Sequence, residues 1–531
     1  MRPTQTALLW LAVVHAVPSI PPPISANAEA LRERLAAAIA AGDRTFEVKP
    51  GKYTFSNSSL RLAYARNLVV NAAGAEFVFY FGFGLDIESA QNLTVRGLTL
   101  DTEPPCYAQG VVTNVSDGSD SFSASFDERF IPPDTGVEPF SAPGGSAGAK
   151  VAFWDAPSRR MLSPVNFLQG STTHVGGDRW HIPLKFAQAA GQGLEVGSLV
   201  TIFPRRGYTW RCANCSAVTA EGVTIHGGGN MGFLEEHGPG GNLYSHVAIK
   251  RKPKSPGLMA LNADGFHSDG VGIGPTLTDS EISFTGDDFV NVHNRMQVIC
   301  KKLSNSSLAI VDPSHSLSAL HAGDEISFYQ LLPGTPHAAN QLIGTGSVAR
   351  SALVTAADEP LLQQCHGVGE AMQQPPYSAD LIGVVASSLK HAAVFRVDFA
   401  RPLPDAVAAS LYNLANFEQR GGANFVLSRN HFHDSCGSGG RIIAKAVNGT
   451  LIDNIAERFG GIHVYTEQIW LEGALGIRNV HLANNTIVDA RIAEPTSIDV
   501  MPGLKNITCL NTTFVVRGAV TRRSAGCAAR G

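Results

Sequence analysis

The chain has 531 residues, 44% apolar and 16% charged, with 54 glycines and a formal net charge of −4. That apolar content excludes a disordered tail, and a charged fraction well under the usual ~25% speaks against a helical surface laced with Glu and Lys pairs. A near-neutral chain also lacks the basic field that a phosphate backbone demands, so no nucleic-acid partner is expected.

Arg2, the apolar run from Ala7 to Val17 and the small or Pro residues after it have the form of a secretion leader over residues 1–19. The run is too short to span a bilayer, and no later stretch reaches about 18 apolar residues. The expectation is therefore a secreted protein, extracellular or lumenal, with no membrane span; its oligomeric state is not legible. Asn-x-Ser/Thr acceptors at Asn57, Asn92, Asn114, Asn214, Asn305, Asn448, Asn484, Asn506 and Asn511 predict glycosylation at some of these sites. The cysteines Cys106, Cys212, Cys215, Cys300, Cys365, Cys436, Cys509 and Cys527 form an even set compatible with disulfides. Cys212-x-x-Cys215 has no second such pair, which argues against zinc.

Ser25 or Asn27 is placed to cap a helix whose Leu31, Leu35 and Ile39 share one stripe and which Gly42 ends. Short apolar segments separated by Gly, Asn, Asp and Ser follow, and these predict strands. Strand and turn units recur about every 24 residues: Ile225 to Ile249 is 24, Phe266 to Phe289 is 23, Leu427 to Leu451 is 24. Late units end in Asn430, Asn454, Asn484 and Asn511, a residue that tolerates the left-handed turn and whose stacked amides can bond from coil to coil. The fold class expected is all-β: a right-handed parallel β-helix capped by the N-terminal helix.

The repeat lapses twice, and each gap is too long for a structureless loop, so two small antiparallel β-barrel or sandwich lobes are expected as insertions. The organisation predicted is a leader at 1–19, capping helix and first coils at 20–105, a lobe at 106–211 and central coils at 212–300. A second lobe at 301–414, C-terminal coils at 415–520 and a tail at 521–531 complete it.

Between the gaps stand Ala263-Asp264-Gly265-Phe266-His267 and Gly286-Asp287-Asp288-Phe289-Val290-Asn291-Val292-His293. Asp264 and Asp287 are 23 residues apart, which by the period stacks one above the other about 4.8 Å away. Asp288 reaches the same patch if the chain bends at Gly286. Three crowded carboxylates raise the pKa of at least one member, leaving an acid beside ionised bases, and glycosidic hydrolysis needs both species. His267, His293, Asn291 and Asn262 are expected to bind sugar hydroxyls. Trp470 and Glu472 are added as an aromatic platform and a same-face carboxylate. A carbohydrate is the partner these residues suit. Glu235-Glu236-His237 reads as surface, and His431-x-His433 as a metal pair without a third ligand, so no metal and no cofactor is predicted.

The two Asp phrases resemble the catalytic region of glycoside hydrolase family 110, β-helical exo-α-galactosidases with inserted barrel lobes. The resemblance extends to Arg441-Ile442-Ile443-Ala444-Lys445 and to Trp470-Leu471-Glu472-Gly473. It implies an inverting, cofactor-free hydrolase of a terminal α-galactoside with Asp264, Asp287 and Asp288 as the acid/base set. Polygalacturonases share a similar Asp, then Asp-Asp, constellation, although their Gly-His-Gly phrase is missing here. The basic turn Lys250 to Lys254 would favour an anionic glycan if it reached the cleft. Outside catalysis, a β-helix that only binds polysaccharide fits the same pattern.

Overall fold

A computed structural model describes residues 24–523 apart from 57, 81, 137–139, 141–148, 163–164, 189–192, 314–315, 332–340, 374–388, 410, 436–439, 468–469, 474–475, 490–497, 502–503 and 517–518. The leader, Asn57, Cys436 and Cys527 lie outside the described residues.

The helix Ala26–Ala41 starts after Ser25 and ends at Gly42, whose left-handed φ of 71° lets its N–H reach the carbonyls of Ala38 and Ile39. Ser25 does not cap through its side chain; its Oγ accepts from the Thr54 amide of the first coil instead. Leu31 and Leu35 seal the apolar end of the cylinder.

Each coil contributes one short strand to each of three long sheets, giving a parallel β-helix. Face A has ten strands running from Thr45–Glu47 to Lys505–Leu510, and face C has nine from Leu60–Ala63 to Ile498–Val500. Face B begins at Gly51–Phe55 and closes with Ala519–Arg523, which folds back antiparallel on Thr512–Val516, so part of the expected tail is strand. Inward positions alternate with outward ones along most of each strand, and one continuous apolar column fills the interior. Its aromatic layers include Trp210, Phe233, Tyr244 and Phe266, with neighbouring ring centroids 4.7–6.2 Å apart.

The interior is not wholly apolar. Asn430, Asn454 and Asn485 form a buried ladder: Asn430 Nδ2 donates to Asn454 Oδ1 at 3.0 Å and Asn454 Nδ2 to Asn485 Oδ1 at 2.9 Å. The third rung is Asn485 and not Asn484, which turns outward and joins Asn511. Glu235, expected on the surface, points inward from Met231–Glu236 and is fully buried. Strand alternation decides this, because Phe233 fills the core two residues earlier.

The first lobe is a seven-stranded antiparallel sheet whose edge at Asn166–Phe167 also bonds to the end of strand Arg179–Pro183, and the second is a closed six-stranded barrel running from Gln297–Ser304 to Leu414–Asn416. The solenoid resumes after the first lobe at Tyr208–Ala213. The first lobe leaves between faces B and C and the second between faces C and A, so they stand at opposite edges of face C. Cys300 and Cys365 form a disulfide inside the second lobe, in keeping with an even set compatible with disulfides, whereas Cys106, Cys212 and Cys215 are buried free thiols.

Candidate active site

Face C carries outward side chains in register. Phe266–Asp269 pairs with Val290–His293 so that Phe266 meets Val290, His267 meets Asn291 and Asp269 meets His293. One coil is therefore 24 residues here, not 23. The Gly265 amide donates to the Asp288 carbonyl, so Asp264 is level with Asp288, and Asp287 stands beside them at the turn. A Cβ at Gly286 would lie 2.3 Å from the Asn262 carbonyl oxygen, so only glycine allows this bend. His293 likewise sits two residues beyond the partner of His267.

Asp264, Asp287 and Asp288 do come together: one carboxylate oxygen from each lies within 4.8 Å of the others. The nearest of these oxygens are closer than the about 6.5–9.5 Å usual between an inverting acid and base, so a water attacking here would stand beside the cluster and not between its members. Each carboxylate is also held by a cationic or N–H partner, and those of Asp287 and Asp288 lie outside the Asp phrases. Lys150 Nζ, from strand Lys150–Trp154 of the first lobe, lies 2.8 Å from Asp287 Oδ2, and Arg205 pairs with the same carboxylate. Arg441 holds Asp288 through Nε at 2.9 Å and Nη2 at 3.2 Å. His267 Nδ1 lies 2.7 Å from Asp264 Oδ2.

At Asp264 these contacts oppose the protonation that crowding alone would favour. Burial works to raise the Asp264 carboxyl, but the His267 bond and the charges of Arg205 and Lys150 outweigh it and hold the group below its ordinary value. Burial, aided by the neighbouring Arg205 charge, drives the Lys150 amine well below the ordinary lysine range.

The floor continues toward the second lobe as a run of ion pairs. Arg295 joins Asp269 (2.9 Å) to Glu472 (3.2 Å), and the fully buried Lys445 bonds Glu472 at 2.7 Å and also Glu467. Arg441 Nη1 donates to Tyr465 OH at 2.6 Å. Burial opposes the charged form of Glu472, yet His293, Lys445 and Arg295 hold it well below the usual carboxylate range. Asn291 Nδ2 donates to Glu472 Oε2 at 3.3 Å.

Some expected sugar contacts serve other ends. Asn262 is fully buried and donates to the carbonyls of Cys106 and Pro204, tying the first lobe to the solenoid. His293 is sealed at 0% exposure, its Nε2 2.8 Å from His267 Nε2, so it cannot meet a sugar hydroxyl. Glu472 is buried under its cations, while Trp470, at 39% exposure, stands free above Arg295, which donates to its carbonyl. The basic turn does not reach the carboxylates. Lys250 pairs with Glu281, Lys252 with Asp101 and Glu76, and the Arg251 guanidinium lies 3.6 Å from the Phe284 ring centroid. A cavity of about 270 Å³ opens there, on the face B side of the first lobe, lined by Asp101, Tyr107, His226 and Lys252. The carboxylates lie instead on the outer side of face C.

His267, His293 and Glu472 offer donor atoms within 4.8 Å of one another. A tetrahedral ion with bonds of about 2.05 Å spreads its nitrogens roughly 3.3 Å apart, so the 2.8 Å contact is too short for one, and Glu472 is already claimed by Lys445 and Arg295. His431 and His433 are each engaged with carboxylates, His433 with Asp434 at 3.0 Å and His431 with Glu457 at 3.5 Å.

Lys150, Arg205, Asp269, Arg295, Arg441, Lys445, Tyr465 and Glu467 are the residues that sequence reasoning left out. Alternation signalled two of them: with Ile442 and Ala444 in the core, Arg441 and Lys445 must face outward.

No protein-family model and no curated protein matches the chain. Among solved structures it is similar to the mannuronan C-5 epimerase AlgE4 A-module of Azotobacter vinelandii, at 9% identity over 92% of this chain and 93% of that one, TM-score 0.31. It is also similar to an endo-xylogalacturonan hydrolase from Aspergillus tubingensis (8%, 92% and 88%, 0.31). A third is PfbA, a surface adhesin of Streptococcus pneumoniae (9%, 92% and 82%, 0.30). At these scores no functional assignment follows from them.

Proposed function

We propose that the chain is a glycoside hydrolase that cleaves a sugar from a glycan on the outer side of face C, using Asp264, Asp287 and Asp288. The observation that carries this is the convergence of three carboxylates within 4.8 Å at the foot of the first lobe, with partners that fix each one's place. Asp287, the most exposed of the three at 17% of its side chain, is the group placed to take a proton from water; Arg441 holds Asp288 rigid beside it. Trp470 offers an apolar face to a pyranose. A terminal α-galactoside is the first substrate to test, on the resemblance of the Asp phrases. Arg205, with 37% of its side chain exposed at the rim, supports a second choice, an anionic polygalacturonate-like chain. With residues 1–19 as a leader, the enzyme would act outside the cell.

The test is hydrolysis of an α-galactoside and polygalacturonate panel by the wild type and by Asp264→Asn, Asp287→Asn and Asp288→Asn. Losses of roughly 10²–10⁴ in kcat are expected for Asp264→Asn and Asp287→Asn. Undiminished turnover in all three variants rejects the assignment, and glycan retention without cleavage by the wild type establishes a binding protein instead.

A further inference from the structure

If the carboxylates cleave a glycosidic bond as proposed, the departing oxygen needs a proton, and Lys150, Arg205 and Arg441 keep Asp287 and Asp288 in cationic company. The hydrogen bonds around Asp264 show where a proton is stored. His293 Nδ1 lies 2.9 Å from the Asn294 carbonyl oxygen, which only accepts, so this nitrogen carries hydrogen and its Nε2 presents a lone pair. His267 Nε2, 2.8 Å away, must then carry a hydrogen of its own. At the other side of the same ring, Nδ1 and Asp264 Oδ2 are 2.7 Å apart, and that contact also requires a hydrogen, on either the nitrogen or the oxygen. The chain Asp264, His267, His293 thus holds one proton more than a carboxylate and two neutral imidazoles. Without it, two lone pairs would face each other in a buried site, at either the N···N or the N···O contact.

From this geometry we infer that Asp264, His267 and His293 form a buried relay that stores one proton, and that Asp264 is the residue that delivers it to the leaving oxygen. The C–O bond breaks with its electron pair on the glycosidic oxygen, which takes the proton that Asp264 shares with His267. Water forms the new bond to the anomeric carbon and gives its proton to Asp287, and exchange with solvent resets both groups. His267 and His293 are positioning residues that hold the stored proton at the Asp264 contact.

The groups facing the relay set its pH range. Asp269 lies on the same strand, Glu472 on the loop toward the second lobe, and Arg295 joins these two, with Lys445 behind Glu472. Lys150 and Arg205 of the first lobe act on Asp264. Burial opposes a charge on both rings. At His267 the Asp264 bond, with Glu472 and Asp269, outweighs it and raises the ring above its ordinary 6.5, whereas at His293 burial prevails and lowers it to about 4. The extra proton therefore belongs to the Asp264 side.

Histidine ¹⁵N NMR on the whole protein, with His267→Gln and His293→Gln supplying the assignments, tests the store without turnover. One ring with both nitrogens protonated above pH 6.5, and one neutral well below it, is expected; in Asp264→Asn the raised titration falls back toward 6.5. The pH profile of kcat/KM tests delivery. His293→Phe should lower kcat/KM at pH 7 at least tenfold and move the alkaline limb to lower pH with KM little changed, while His293→Gln, which keeps an acceptor, restores most of the loss. Both rings neutral between pH 5 and 7 overturns the relay and leaves the carboxylate assignment standing. So does a zinc ion bound at the two rings in the purified protein. A relay seen by NMR in a protein that hydrolyses no glycan overturns the hydrolase function and, with it, delivery by Asp264.

Discussion

Glu235 makes the fold's own pH dependence a sharp test of the architecture. Its carboxylate is enclosed in the solenoid core, where Asn242 Nδ2 (2.7 Å) and Tyr244 OH (3.0 Å) donate to one oxygen and Ser268 Oγ (2.9 Å) to the other. Burial raises the group from 4.5 to about 7, the three donors offsetting only part of the desolvation. A carboxyl raised on folding binds its proton more tightly in the native state. Its contribution to stability is therefore complete below the unfolded value of 4.5 and is lost as pH climbs through about 7. The difference between those values corresponds to about 3 kcal/mol lost between pH 4 and pH 8. Glu235→Gln preserves shape and one acceptor but cannot ionise, so it should gain up to that amount over the wild type at pH 8 and nothing at pH 4. Urea midpoints followed by tryptophan fluorescence suit the measurement, because Trp210 is buried in the same column, 5.6 Å from Phe233. Wild-type and variant midpoints that stay parallel from pH 4 to pH 8 would refute an inward Glu235.

Lys150→Met leaves Asp287 with Arg205 alone and should cost roughly 10²-fold in kcat with an unchanged circular dichroism spectrum, since the lobe delivers this hydrogen-bond donor to the site; full activity would detach the lobe from the chemistry. Asn454→Ala removes a side chain that donates to Leu427 O and Asn485 Oδ1 and accepts from both nitrogens of Asn430. A loss of about 3 kcal/mol in chemical unfolding is expected from the groups left unpaired. Trp470→Ala should raise KM roughly 2- to 10-fold with kcat retained, the signature of a platform that binds ground and transition states alike; initial-rate kinetics decide it.

The solenoid was legible because both of its periods are written in residue types, apolar alternation along each strand and a return every 24 residues. Asn430 and Asn454 marked the corners for the same reason: their amides repeat with the coil. The Asp phrases were equally local, and they identified three side chains that do meet. What spacing missed lay in long-range contacts. Lys150 arrives 137 residues before its partner in the chain and Arg441 153 residues after, and no periodicity links them. A shift of a single residue, from 23 to 24, moved Asp264 from Asp287 to Asp288, because the outward bend at Gly286 adds a residue ahead of the strand. Residue type also misled at Asn262 and His293. Both suit a sugar hydroxyl, yet lobe anchoring and ring pairing consumed their polar atoms first.

Digestion of the preferred glycan in H₂¹⁸O, read by mass spectrometry, addresses the chemistry at face C most directly. Hydrolysis by Asp264, Asp287 and Asp288 predicts one ¹⁸O atom in each new reducing end from the wild type and almost none from Asp287→Asn in the same time. Products that carry no ¹⁸O, or that carry it equally with Asp287→Asn, would contradict water attack at this carboxylate cluster.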